Sequence, residues 1–126
     1  MKVAVMGYGT IGSGVVEALE INRDSIALKL GREVDVKYVL DLRDFPGDPV
    51  QDKIVHDVSV IVNDPEVEIV VETMGGTKPA YEYVKAMLMA GKSVATSNKA
   101  LVAAHGTELL HLAREKGVNF LFEASV

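Results

Sequence analysis

Short blocks of consecutive apolar residues alternate along this chain with stretches whose apolar positions recur every three or four residues. The first block, Val3-Ala4-Val5-Met6, predicts a strand covered on both faces. Ser13 to Leu30 then reads as helix: Ile11, Val15 and Leu19 share one face, Ile26 and Leu30 continue it, and Gly31 is the stop. Asn22 and Asp24 leave open whether this is one helix or two. Val34 to Leu40 is a second strand, with Val34, Val36, Tyr38 and Leu40 expected on one face and Asp41 closing it. Arg43 to Pro49 is a loop rich in Pro, Gly and Asp. Ile54-Val55 is a minor strand, and Asp57 caps a short helix that ends before Asp64-Pro65. Val67 to Val71 is again a near-continuous apolar run. Thr77 is expected to cap the next helix, with Pro79 in its first turn, a stripe of Ala80, Val84, Met87 and Leu88, and a stop at Gly91. Ser93 to Thr96 is a strand. Ser97-Asn98-Lys99 opens a last helix, expected to break near Gly106, with Leu109, Leu112 and Ala113 facing inward and Gly117 ending it. Asn119 to Phe122 is the final strand.

Strands alternating with helices through short links imply an α/β fold with a parallel sheet, because right-handed crossovers place the helices on its faces. The expected architecture is a Rossmann-type doubly wound sheet of order 3-2-1-4-5-6 with a degenerate third strand, in one domain over residues 1–126. In such a sheet ligands bind beyond the carboxyl ends of the strands. Those ends carry the Gly7 turn, Asp41, Glu72 to Gly76, Thr96 to Lys99, and Glu123.

Gly7-Tyr8-Gly9-Thr10-Ile11-Gly12 is a G-x-G-x-x-G motif in the required setting, straight after a buried strand and at the mouth of a helix. Gly7 makes the tight turn, Gly9 lets a diphosphate approach the backbone, and Gly12 lets the helix pack on the strand. The free N–H groups and positive end of that helix attract the anion. Asp41, 29 residues after Gly12 (41 − 12), suits the ribose hydroxyls or simply ends a strand; the usual spacing is about 20. Arg43 favours a 2′-phosphate instead. Gly75-Gly76 either admits the nicotinamide end or only turns the chain. Lys99 binds an anionic substrate, donates a proton to a carbonyl oxygen, or is a solvated charge.

Composition narrows the classes further. Of 126 residues, 48% are hydrophobic, enough for a respectable core, and the net charge is −5 with no basic run to mark a nucleic-acid footprint. The absence of cysteine excludes disulfides and fits a reducing cytoplasm. No apolar stretch reaches the roughly 20 residues of a membrane span, and the early first strand leaves no room for a signal peptide. His56, His105 and His111 lack metal-ligand spacing and are expected at the surface.

Four segments, GYGTIGSGVVEAL, VVETMGGTKPAYEYVKAMLMAGK, SVATSNKALVAAHGTELLHLA and NFLFEASV, together resemble the nucleotide-binding domain of homoserine dehydrogenases. The resemblance covers essentially the whole chain, most specifically in E-x-M-G-G, T-x-N-K and E-A-x-V. It implies reduction of L-aspartate 4-semialdehyde to L-homoserine with NAD(H) or NADP(H), on the route to threonine, methionine and isoleucine. It implies that Gly7, Gly9, Thr10, Ile11 and Gly12 hold the diphosphate. Thr73, Met74, Gly75, Ser97 and Asn98 would lie at the nicotinamide riboside, and Lys99 at the substrate as a catalytic residue. Glu123 and Val126 match positions that coordinate a monovalent cation such as Na+ in some members. In that family E-A-x-V runs into a G-G-G-I-P segment and a dimerisation and substrate domain. The chain therefore reads as a domain-length piece, expected to be a monomer and inactive alone. Another amino-acid dehydrogenase of similar fold, such as aspartate dehydrogenase, is disfavoured by T-x-N-K and E-A-x-V. A free-standing nucleotide sensor is the alternative from a different class.

Overall fold

Lys2–Met6 forms β1, and its last four residues are buried because the strand lies inside the sheet with helices over both faces. A computed structural model describes residues 1–122. The remaining strands are β2 (Asp35–Leu40), β3 (Ile54–Val55), β4 (Val67–Glu72), β5 (Ser93–Thr96) and β6 (Phe120–Phe122). They form one six-stranded sheet in the order β3-β2-β1-β4-β5-β6, parallel at every pairing. The expected order and the two-residue third strand are both present.

The helices divide between the faces. α1 (Thr10–Ile21) packs Val16, Val15 and Leu19 against Val5, Val36 and Val39. α3 (Val58–Val62), α4 (Ala80–Met89) and α5 (Lys99–Lys116) cover the other face, where Met6, Val70 and Val94 meet Ile61, Val84, Met87, Leu88, Leu101 and Leu109. The stripe expected on α4 is buried throughout; on α5 Leu109 and Ala113 are buried and Leu112 is half-buried against the same core.

Five local expectations change. The first helix begins at Thr10, directly on the glycine turn, and Asn22 divides it from α2 (Arg23–Leu30). The Asn22 side-chain amide donates to the Ala18 carbonyl, and α2 buries none of its residues; Leu30 is 54% exposed rather than part of a core face. In β2 the four residues expected on one face are split. Val3 pairs with Val36 and Ala4 with Tyr38, so Lys37 is an extra residue. That bulge reverses the alternation, putting Val36 with the α1 core and Tyr38 and Leu40 with the other. Pro49, read as the last loop residue, opens a 3₁₀ turn, Pro49–Lys53, capped by the Asp48 carboxylate on the Val50 N–H. Thr77 does not cap α4 with its side chain: Pro79 is the N-cap residue, and the Thr77 carbonyl accepts the Tyr81 N–H at 2.8 Å. Finally, α5 runs unbroken through Gly106, which is buried; a Cβ there would meet Val102 Cγ1 at 3.2 Å.

Leu109 is fully buried and its neighbour Leu110 is 39% exposed. Leu109→Ala is expected to cost about 2–5 kcal/mol. Leu110→Ala is expected to stay within about 0.5 kcal/mol. Urea denaturation of both variants checks the face assignment; equal losses would contradict it.

Candidate functional site at the carboxyl edge of the sheet

The turn between β1 and α1 is built around two glycines. Gly7 has φ +100°, which favours a residue without Cβ. A Cβ on Gly12 would stand 1.9 Å from the Gly7 carbonyl oxygen and 2.9 Å from Thr73 Oγ1. The helix therefore starts against the strand end. A Cβ on Gly9 would meet nothing within 4 Å, and no side chain caps the helix at Gly9, so the first-turn N–H groups of Thr10, Ile11 and Gly12 are free of a side-chain partner. Uncapped donors on a 12-residue helix, beside a glycine that leaves space, suit a diphosphate. Thr10 and Ile11 are exposed at that turn, and the apolar Ile11 is 57% open.

Thr73 fastens this turn to β4. Its N–H donates to the Met6 carbonyl at 3.0 Å, and its hydroxyl is shared between the Met6 carbonyl at 2.9 Å and the Gly7 carbonyl at 3.1 Å. On the β2 side, Asp41 meets four donors. Oδ1 accepts the Arg43 N–H at 2.9 Å and Arg43 Nε at 3.0 Å. Oδ2 accepts the Tyr8 N–H at 2.9 Å and Arg43 Nη2 at 3.1 Å. The Arg43 guanidinium is the main cause that lowers the Asp41 pKa to about 2, with the Arg43 and Tyr8 amides adding to it. His56 reaches the Asp41 carbonyl through Nδ1 at 2.7 Å and Asp44 through Nε2 at 2.9 Å. The Asp41 carbonyl and the Asp44 carboxylate raise the His56 pKa. His56 is exposed as expected, though engaged rather than merely solvated.

Gly7, Asp41, Arg43 and Met74 line one cavity of about 340 Å³, closed by Leu42, Pro79 and Tyr83. Its apolar walls beside Asp41 suit an aromatic base. Asn98 caps α5 by accepting the Leu101 N–H at 3.0 Å, and its amide donates to the Met74 carbonyl at 3.1 Å and the Gly76 carbonyl at 2.6 Å. Ser97 and Lys99 are exposed beside it, and Lys99 has no ion-pair partner among the described residues. Gly75 is exposed with open space around it. Glu123 and Val126 lie outside the described residues. Among the described residues no cluster of His, Cys, Asp or Glu suits a metal ion, and no helix is long and apolar enough to cross a membrane. Tyr8, through its N–H on Asp41, and Tyr83 and Pro79, through the cavity, went unread in the sequence. A G-x-G motif whose middle residue is aromatic signals none of these contacts.

The family model described as "Homoserine dehydrogenase, NAD binding domain" matches residues 7–123. The chain is 41% identical to the homoserine dehydrogenase of Pseudomonas aeruginosa, over 100% of this chain and 29% of that protein. It is 35% identical to that of Bacillus subtilis, over 100% of this chain and 30% of that protein. The crystal structure of homoserine dehydrogenase from S. aureus at pH 7.0 superposes with a TM-score of 0.89 at 37% identity, covering 98% of this chain and 32% of that one. The chain thus spans 29–30% of the length of these curated relatives.

Because the folded Asp41 pKa is depressed, its contacts stabilise the protein above the ordinary value of about 3.9. That contribution fades as pH falls toward about 2. Carboxyl NMR titration is expected to show the Asp41 inflection well below 3.9. Arg43→Ala should move the inflection upward, since Arg43 is the main cause of the shift. An unmoved inflection would remove the guanidinium from this account.

Proposed function

The chain belongs to the homoserine dehydrogenase NAD-binding domain family, and from that premise we propose that it holds a nicotinamide dinucleotide across the carboxyl edge of its sheet for the interconversion of L-aspartate 4-semialdehyde and L-homoserine. The observation that carries this reading is the methyl-free junction of Gly7 and Gly12 under an uncapped helix end. The fold has room for a side chain at Gly9, and the glycine there leaves the helix N–H groups open to a ligand instead.

The diphosphate takes the first-turn N–H groups of Thr10, Ile11 and Gly12. The adenosine half lies toward β2, its ribose hydroxyls on Asp41 and its base against Leu42, Pro79 and Tyr83. The nicotinamide half then extends over the ends of β4 and β5, because the sheet order puts these strands on the other side of β1. Bound there, the cofactor supplies the hydride that the reaction exchanges. Lys99, the first residue of α5 and open to solvent, meets the substrate carbonyl and passes it a proton or holds its charge. The polypeptide of 126 residues is expected to bind NADH and to leave homoserine essentially unoxidised, because Lys99 alone does not orient a substrate in near-attack geometry.

Between the two cofactors, Asp41 favours NAD(H) by receiving ribose hydroxyls and repelling a 2′-phosphate. Arg43 neutralises that carboxylate and is 63% exposed, so the preference is narrow. NADH is expected to bind no more than about tenfold, or 1.4 kcal/mol, tighter than NADPH. Arg43→Ala should widen the gap, read from dissociation constants for both. Tighter NADPH binding would show that Arg43 prevails.

Gly9→Ala tests the site itself. The new methyl has room in the fold, so the melting temperature should hold, while NADH affinity falls at least about tenfold through loss of the close diphosphate approach. Unchanged affinity, or no NADH binding by the folded parent chain, would sink the reading.

A further inference from the structure

Glu72 closes β4 and is fully buried. Its Oε2 accepts the Thr96 hydroxyl at 2.7 Å, while Oε1 has no hydrogen-bond partner. Burial pushes this carboxyl up from its ordinary value, against the Thr96 hydroxyl, the Met74 amide and the Asn98 side chain, none of them charged. An unpaired buried oxygen costs stability that an apolar residue would avoid, so packing alone does not account for glutamate here.

Its hydrogen bond to Thr96 has consequences further out. The Thr96 hydroxyl has a single proton, given to Glu72, and so turns a lone pair to the Asn98 N–H at 2.9 Å. Asn98 in turn spends its whole side chain on the edge loops, capping α5 at Leu101 and holding the Met74 and Gly76 carbonyls. The Glu72 carbonyl also accepts the Ser97 N–H at 3.4 Å. The path leads from the end of β4 to the glycine loop after it and to the residue before Lys99.

We propose that Glu72 is a positioning residue which, by accepting the Thr96 hydroxyl, sets Asn98 and through it the two loops beneath the nicotinamide half of the cofactor. This rests on the cofactor reading above. Among the described residues, Asp41 and the Gly7 turn, which take the adenosine and diphosphate, make no hydrogen bond to Glu72, Thr96 or Asn98; Met74 is common to both halves, lining the cavity beside Asp41 while Asn98 holds its carbonyl.

NADH and ADP-ribose, which lacks the nicotinamide, separate the two halves. In the full chain, Glu72→Leu is expected to weaken NADH about tenfold or more and to leave ADP-ribose within twofold, by fluorescence and calorimetry respectively. Glu72→Gln retains an acceptor for Thr96 and should restore NADH binding to within twofold. Thr96→Val breaks the same path one step later and should reproduce Glu72→Leu; it carries the test should the leucine variant fail to fold. Equal loss of both ligands would reduce Glu72 to a structural role. Unchanged NADH binding in both the leucine and valine variants, or a glutamine variant as weak as the leucine one, would overturn the proposal. Failure of the parent chain to bind either ligand would instead defeat the cofactor reading.

Discussion

The carboxyl edge depends on one contact: the Gly7 carbonyl lies where any Cβ of residue 12 would stand, at 1.9 Å. That closeness brings the end of α1 down onto the end of β1. Thr73 fills the third side, and its hydroxyl is itself 2.9 Å from where Cβ atoms of Gly7 and Gly12 would be. Three segments therefore meet with no room for a methyl group, and each fixes the others. The Tyr8 N–H, carried by the same turn, reaches across to Asp41. The residues at the ends of β2 and β4 are thus measured from a single backbone junction rather than set independently.

Element order and sheet topology were legible because strands buried on both faces read as apolar runs, and because helices between them read at helical spacing. What escaped was register. Lys37 in β2 and Glu68 in β4 are extra residues opposite β1. A bulge is decided by the fit of neighbouring strands, which alternation along one strand does not reveal. It moved Val36 away from the face of Tyr38 and Leu40. Gly106 misled for a related reason: glycine reads as a breaker, yet inside α5 it sits buried against Val102. Leu30 misled in the opposite sense, since its helical spacing continues past Asn22 while the helix carrying it leaves the sheet.

In the site, the residues that could be read were those whose role follows from backbone geometry. Gly7 and Gly12 are required by a turn and a close approach, and Asp41 by its place at a strand end. Asn98 was visible as a helix-opening residue at a strand end, but not as the clamp on Met74 and Gly76, which depends on β4 and β5 lying side by side. Glu72 was the least legible. A carboxylate ending an apolar strand reads as the first residue to reach water. Only the central position of β4, with β1 and β5 paired on either side, makes it buried.

The two carboxyls on this edge, at the ends of β2 and β4 on either side of β1, occupy opposite electrostatic regimes. Asp41 has four donors, two of them on a guanidinium that is largely solvent-exposed, and is held ionised below its ordinary range. Glu72 has no charged partner, and burial raises its pKa against the uncharged Thr96, Met74 and Asn98 groups around it. The difference arises from burial and donor count, since both close parallel strands of the same sheet. It also separates the tasks of the two cofactor halves in the reading proposed above. A ribose is held by hydrogen bonds, which a fixed carboxylate strengthens. A nicotinamide ring changes charge as hydride is exchanged, and an ionised carboxylate beneath it in a low-dielectric setting would favour the positively charged, oxidised ring. In that reading Glu72, whose burial opposes ionisation, acts on the loops through the hydroxyl it holds on Thr96. The solvent-reached carboxylate with its many donors is thus the one the proposed reading sets against the ribose, and the buried one is the one it sets beneath the loops of the other half.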